Sequence, residues 1–545
     1  MTAVAMRTIP ARGGSLTGTG ELVRLGLRRD RIPLIAWIAG VSVVTLSTFS
    51  TIATLYPDEA SREAIVAGIN ANPAFVVITG PPFSATVGGL TAWRIGVIGA
   101  LMVSLMAVFT VIRRTRADEE AGRTELVASA VVGRAAPLAA GLTLAMGASL
   151  AVGVIVGAGS IGLGHPAGSS LLLGAALAGP GLVFSGIAAI AAQLSEITRT
   201  ASAWAGGFLG ICYALRGIGD ATPSLSFLTW VSPLGWTEKV EAFGADRAVV
   251  LLLFLAAAAG TVAVAVSLQG RRDIGLGILA TRLGVASDPR LGSPLALAWR
   301  LQRGSLCGWA VAFLAYGAVT GSIATTGGDL LQGNAKMIEI MQEMGGAGAV
   351  ANTLLAVMAG LAGLLGGVVV ISAAVRMAGE ESAGRAGAVL ATTVGRGRWL
   401  AGQLIMSLGG VIVALLLGGL VAGVAYGAKT TDVSFGVGFG RALAAFVVQI
   451  PAVAVMAGVA LAIFALVPRF TSVSWGALTL ALLLGQLGAL LQLPRAVMGI
   501  SPYAHTPLVP SQPVDWGSVA GLVAVAVALL ALSFLAFRRR DLVAG

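Results

Sequence analysis

Residues 93–126 read WRIGVIGALMVSLMAVFTVIRRTRADEEAGRTEL. Twenty almost wholly apolar residues, 93–112, run without a break into a burst of charge of both signs. An apolar run of that length spans the hydrocarbon core of a bilayer as one α-helix, because the helix satisfies all its backbone polar groups internally. The charged stretch must then lie in water or at the interface. Comparable runs recur at 33–55, 136–157, 171–193, 201–218 and 248–268, and again at 304–325, 351–375, 399–427, 440–467, 471–491 and 516–537. The expected fold class is an all-α polytopic membrane protein of about twelve transmembrane helices.

The whole chain agrees with this reading. Of 545 residues, 57% are hydrophobic and 11% charged, and the mean hydropathy is +0.91. A soluble domain carries about 25% charged residues, so a soluble globular enzyme is excluded. The 76 glycines suit helices packed closely in lipid, where van der Waals fit replaces the hydrophobic drive between helices. Only three of the basic residues are lysines (Lys239, Lys336 and Lys429). With abundant Ala and Gly, this bias points to a GC-rich, actinobacterial genome and not to nucleic-acid binding. With the N-terminus placed inside, 26 of the 35 Lys and Arg fall in inner segments and 9 in outer ones. The positive-inside rule therefore puts both termini in the cytosol of a multi-pass cell-membrane protein, and the net charge of +11 meets anionic membrane lipid. No cleavable signal peptide is expected, and the two cysteines, Cys212 and Cys307, form no framework.

The quoted charge pattern has a twin. Glu119-Glu120-Ala-Gly122-Arg123, with Arg134 eleven residues later, matches Glu380-Glu381-Ser-Ala-Gly384-Arg385, with Arg396 eleven residues later, allowing one extra residue in the second copy. Ser232-Pro233-Leu-Gly-Trp236 matches Ser501-Pro502-Tyr-Ala-His505, and Arg271-Arg272-Asp273-Ile274 matches Arg539-Arg540-Asp541-Leu542. Three motifs in one order, offset by 262 to 269 residues, describe two six-helix repeats inserted the same way up, with a cavity expected between them. The expected organisation is a cytosolic segment 1–32, a first transmembrane half 33–268, a cytosolic linker 269–303, a second half 304–537 and a tail 538–545. Glu21–Arg31 and Leu295–Arg303, rich in Leu and Arg, are read as separate interfacial helices lying on the membrane before each half.

Four groups of residues are candidates for function. Asp118, Glu119, Glu120, Gly122 and Arg123, with Glu380, Glu381, Gly384 and Arg385, suit a short amphipathic element that docks a partner through charge; a solvated turn with ordinary inner arginines is the plainer reading. Ser232, Pro233, Trp236, Ser501, Pro502 and His505 mark a re-entrant or surface helix at an outer gate, or an ordinary turn with a belt aromatic. Phe109, Trp204, Phe208, Tyr213, Trp475 and Gln486 offer an aromatic, weakly polar wall for a lipophilic ligand, or plain packing. The long outer segments Asp58–Asn70 and Asp329–Met344 are expected to be helical. No phosphate-binding loop, no Cys/His metal spacing and no Asp or Glu within an expected span is found, so neither catalysis by this chain nor a metal site is expected.

The Glu-Glu-x-Gly-Arg loops resemble those of ABC type-2 exporter permeases. With Ser-Pro-Leu-Gly-Trp and Arg-Arg-Asp-Ile they are similar to the duplicated, actinobacterial tetronasin-type subgroup that exports polyketide antibiotics. The likeness spans essentially the whole chain. It implies a multidrug-efflux permease that works by alternating access and is not itself an enzyme. Two ATP-binding cassette ATPase subunits, holding ATP and Mg, would dock on coupling helices within 117–135 and 378–397. Lipophilic drugs would be the substrates. The alternative is a major-facilitator-like drug/proton antiporter, whose loop after the second span also carries an acidic residue and Gly-Arg.

Overall fold

The computed structural model describes residues 14–70, 73–128, 131–273, 275–279, 291–331, 350–430, 433–486 and 494–541. Ile274, Leu542, residues 332–344 of the expected helical segment Asp329–Met344 and the side chain of Gln486 lie outside the described residues. Every regular element among the described residues is helical. The chain divides into two compact units, Met1–Gly284 and Val285–Gly545.

In the first unit α1 (Thr19–Leu55) leads through two short helices, α2 (Glu59–Asn70) and α3 (Pro73–Thr79), to α4 (Val87–Arg114). Two more short pieces follow, α5 (Arg116–Glu120) and α6 (Arg123–Ala128), then the long α7 (Ala136–Gly162), α8 (Ala167–Leu194) and α9 (Thr198–Ala221). Short α10 (Phe227–Val231) and α11 (Pro233–Lys239) precede α12 (Leu251–Gln269). The second unit repeats this plan with α13 (Pro294–Leu331), α14 (Val350–Ser382), short α15 (Arg385–Leu390), α16 (Arg396–Lys429), α17 (Phe435–Val447), α18 (Ile450–Leu466), α19 (Ser474–Gln486), short α20 (Arg495–Met498) and α21 (Trp516–Arg539).

Ten helical stretches among the described residues are long and apolar enough to cross a membrane, with α17 and α18 counting as one. The two expected spans missing from the ten are the fifth of each half. Helix α9 is long enough, but Arg199, Arg216 and Asp220 lower its apolar content; α19 is described for only 13 residues. The interfacial helices also differ from expectation. Helix α1 runs unbroken for 37 residues through Pro33, and α13 likewise includes Leu295–Arg303. Neighbouring helices make an interior proline tolerable at membrane depth. In the second half Pro451 has the opposite effect: the chain turns at Val448 and Gln449, and the proline opens α18, whereas Pro180 lies inside a continuous α8.

In unit 1, α8 packs on α4, α7 and α12, while α1 lies on α7 and α4. In unit 2, α13 lies along α16 and α21 along α18. Glycine lets the backbones meet: a Cβ at Gly174 would sit 2.1 Å from the carbonyl oxygen of Gly153, and one at Gly317 would sit 2.0 Å from that of Gly418. Leu252 and Leu255 on α12 are exposed, as lipid-facing side chains are. Of the two segments expected outside, the first is helical as α2, with Asp58 accepting from the Ser61 amide at 2.7 Å.

Candidate functional site

Helix α1 begins, and α4 and α12 end, at one face of unit 1, called here the arginine-rich face. There the chain turns through α5 and α6, with Gly122 between them at φ +68°, a left-handed conformation that glycine adopts without strain. Glu119 reaches from α5 to the segment after α12. Its two oxygens accept from Arg272 Nη2 at 2.7 Å and Nη1 at 2.9 Å, a two-pronged ion pair whose geometry adds direction to charge. The side chains are only 11% and 6% exposed. Arg272 also donates to Gln193 Oε1 and to the Leu276 carbonyl, and Arg134 donates to the Arg272 carbonyl. Buried Arg116 lies 3.0 Å from Glu119 and donates to the carbonyls of Ala192, Gly275 and Leu276.

Unit 2 builds the same lock. Glu381 accepts both prongs of Arg540 at 2.6 Å, Arg396 donates to the carbonyls of Arg538 and Arg540, and Gly384 takes φ +72°. Arg385 holds Glu380 as Arg123 holds Asp118. These partners align Asp118-Glu119-Glu120-Ala-Gly122-Arg123 with Glu380-Glu381-Ser382-Ala-Gly384-Arg385 without a gap. The extra residue inferred from the letters is therefore not there: Glu119 corresponds to Glu381, not to Glu380. The guanidinium's other neighbours do differ. Where Arg272 meets Gln193, Arg540 lies 5.1 Å over the ring of Phe464 and 5.0 Å over that of Phe537, which gives it a cation–π environment.

Glu119 and Glu381 thus face inward, each occupied by an arginine of its own half. The groups turned toward solvent are Glu120, which accepts from the Thr198 amide at 2.8 Å, and the Arg123 and Arg385 side chains, 43% and 63% exposed. Asp30, buried on α1, binds Arg113 at 3.1 Å and Arg114 through its other oxygen. Gln302 takes its place in unit 2 and bonds Gln403 and Arg376 instead. Asp30 was not a sequence candidate, because an acidic residue among arginines reads as a solvated interfacial charge.

At the opposite face the two Ser-Pro motifs make equivalent bonds. Ser232 donates to the Cys212 carbonyl at 2.7 Å and caps α11; Ser501 donates to the Ala481 carbonyl at 2.8 Å and precedes the turn Pro502–His505. Trp236 Nε1 reaches the carbonyl of Trp230, and His505 Nε2 that of Gly499, six residues back in each case. The histidine keeps the tryptophan's bond. Pro233 and Pro502 each open a short helix. Helix α11 packs on α4, α8 and α9 and carries Glu238 to a fully buried Arg216, 2.9 Å away, which also meets Asp220 at 3.3 Å. Arg216 donates to the carbonyls of Val77 and Ile78. Two carboxylates share one guanidinium here. Burial, reinforced by the Asp220 charge, pushes the Glu238 carboxyl well above the ordinary range against the pull of Arg216, and Oε2 has no hydrogen-bond partner. In the corresponding places of unit 2 stand Gly485 and Pro507.

Tyr213 is committed to the Ile78 carbonyl at 2.9 Å and lies beside Arg216. Phe208 packs near Phe184. Trp204, Phe109 and Trp475 are 41%, 50% and 39% exposed. Sequence reasoning missed Arg216, Asp220 and Glu238: only Asp220 lies past the expected end of the span, and what joins the three is the packing of α11 on α9. It noted Arg272 and Arg540 without their partners. Among the described residues no cluster of three or more His, Cys, Asp or Glu could hold a metal.

A family model described as the multidrug efflux system permease Rv1217c, C-terminal domain, matches this chain twice, over residues 21–268 and 291–538. The double match places one domain in each half. The multidrug efflux system permease protein Rv1217c of Mycobacterium tuberculosis (strain ATCC 25618 / H37Rv) is 40% identical over 534 residues, 98% of this chain and 96% of the relative.

Proposed function

We propose how the chain is driven, starting from what it is: it belongs to the multidrug efflux system permease family and is the permease subunit of a multidrug exporter. Separate ATP-binding cassette ATPase subunits, two of them, dock below the arginine-rich face, one under each half, and hold the ATP and Mg. That face is cytosolic, as are both termini. Helices α9 and α19 complete twelve spans, and the chain is of the tetronasin type. ATP binding closes the ATPase pair, and the loops 117–135 and 378–397 carry that movement into the two halves, so that access alternates between inward- and outward-open. ATP must stabilise one state over the other for this to work.

The observation that supports this reading is the doubled lock. Glu119–Arg272 ties the turn after α4 to the segment after α12, and Glu381–Arg540 ties the end of α14 to the segment after α21. A push on the loop therefore moves a spanning helix rather than a loose turn. Two such attachments suit two motors. The test is drug uptake into inverted vesicles holding the chain with its ATPase. Uptake is expected to require ATP and to survive collapse of the proton gradient. Uptake driven by the gradient alone, with no ATPase present, would overturn the proposal.

A further inference from the structure

A groove runs along α1 and α4 of unit 1. Its upper part is a cavity of about 610 Å³, within the roughly 300–1,000 Å³ of drug-sized sites. Its walls are almost wholly apolar and include Trp37, Val41, Val44, Ile98 and Met102. Pro33 and Trp37 join it to a second cavity of about 300 Å³ nearer the arginine-rich face, lined by Asp30, Phe109, Arg113, Thr198 and Ser202. From Asp30 to Thr45 the helix rise gives the groove a length of about 22 Å.

The polar end has a sign. Both Asp30 oxygens are taken, one by Arg113 and one by Arg114, and Arg114 also lies 3.8 Å from Asp118, which Arg123 and Arg29 approach as well, so two carboxylates meet four guanidinium groups and the cluster is net positive. Arg114 is 8% exposed, while Arg113, at 55%, is the one open to the groove. Thr198 brings a buried hydroxyl with no hydrogen-bond partner. A guanidinium and a spare hydroxyl beside an apolar slot recognise a carboxylate-like head on an apolar body. Unit 2 keeps the aromatic, Trp309 for Trp37, but has Gln302 for Asp30 and Val375 for Arg113.

We propose that this groove binds an amphipathic organic anion of drug size, with its acid on Arg113 and its apolar body along Trp37 and Ile98, as the exported substrate. The proposal names a substrate class and so rests on the exporter reading above. Its test measures binding alone, without ATPase or ATP, so failure of the two readings can be told apart. The full chain in nanodiscs of zwitterionic lipid is titrated with dansylaminoundecanoic acid, with the matching dansyl undecylammonium as the cationic control. The acid is expected to bind saturably and the cation at least tenfold more weakly. Arg113→Gln should weaken the acid at least tenfold and erase the preference. Ile98→Trp, which leaves the ion pairs intact and fills the slot, should weaken both. Equal binding of the two probes, or unchanged binding of the acid in both variants, overturns the proposal. Stoichiometric displacement of the acid by phosphatidylglycerol would give the groove to membrane lipid and overturn it as a substrate site.

Discussion

The sharpest consequence of the doubled lock concerns Glu119 and Arg272. Replacing Glu119 by Gln keeps the shape and removes the charge, leaving the Arg272 guanidinium buried with only the Gln193 side chain and backbone carbonyls as partners. Stripping one partner from a buried pair costs about 3–5 kcal/mol. Arg116 beside Glu119 complicates the single variant, since both cations are left close together. A double-mutant cycle separates the terms. Glu119→Gln and Arg272→Gln should each destabilise by about 3 kcal/mol. The double variant should cost clearly less than their sum, with a coupling of about 1.5–3 kcal/mol, the worth of hydrogen bonds to charged groups. The readout is reversible unfolding of the purified chain in mixed micelles, followed by tryptophan fluorescence. ATP-driven drug uptake by each variant, normalised to folded protein, is measured beside it. If the lock transmits force, uptake falls further than stability explains, and Glu381→Gln behaves alike in the second half. Additivity within about 0.5 kcal/mol, with full uptake per folded molecule, would refute the reasoning.

Three further outcomes are expected. Glu238 carries a raised carboxyl value because it is buried beside Asp220, so the folded state favours its proton; the stability this permits is complete below the ordinary carboxylate range and is lost as pH rises through the elevated value. Glu238→Gln should flatten that loss in melting curves against pH, and an unchanged slope would count against the assignment. Gly317→Ala, which places a methyl 2.0 Å from a carbonyl oxygen, should destabilise by about 1–3 kcal/mol and lower the yield of folded protein in size-exclusion profiles, whereas Gly440→Ala, with open space around it, should not. His505→Trp should preserve the melting temperature, because the ring nitrogen at that position needs only the Gly499 carbonyl; His505→Phe should lower it.

The spanning helices were legible because lipid imposes a rule that sequence displays directly: about twenty apolar residues in a row. Where a helix departs from that rule, the reading weakened. Helix α9 carries Arg216 and Asp220 because the two pair with each other, Glu238 and the carbonyls of Val77 and Ile78 accept from the guanidinium, and Thr229 donates to Asp220, and no local pattern announces the distant partners. The same holds for the lock. Glu119 and Arg272 are 153 residues apart; each motif was visible, but charge beside charge in a loop reads as surface until its partner is seen. The continuity of α1 was hidden for a different reason: Pro33 and the arginines before it look like a boundary, and only packing on α7 and α4 keeps the helix whole.

The two halves share a scaffold and differ in their charge. Glu119–Arg272 and Glu381–Arg540 are equivalent, as are the serine bonds of Ser232 and Ser501, so the parts that hold helices in place were kept after duplication. The buried ionic groups were not. Asp30, Arg116, Arg216 and Glu238 of unit 1, with the half-exposed Arg113, correspond to Gln302, Ala378, Gly485, Pro507 and Val375 in the sequence of unit 2. Keeping charge buried costs several kcal/mol unless it is matched by partners, so a purely structural role would have favoured the neutral version in both halves. Unit 1 retains five charged groups where unit 2 shows that the fold stands without them. The asymmetry therefore argues that these groups serve a step that only one half performs, such as holding a charged ligand or a proton.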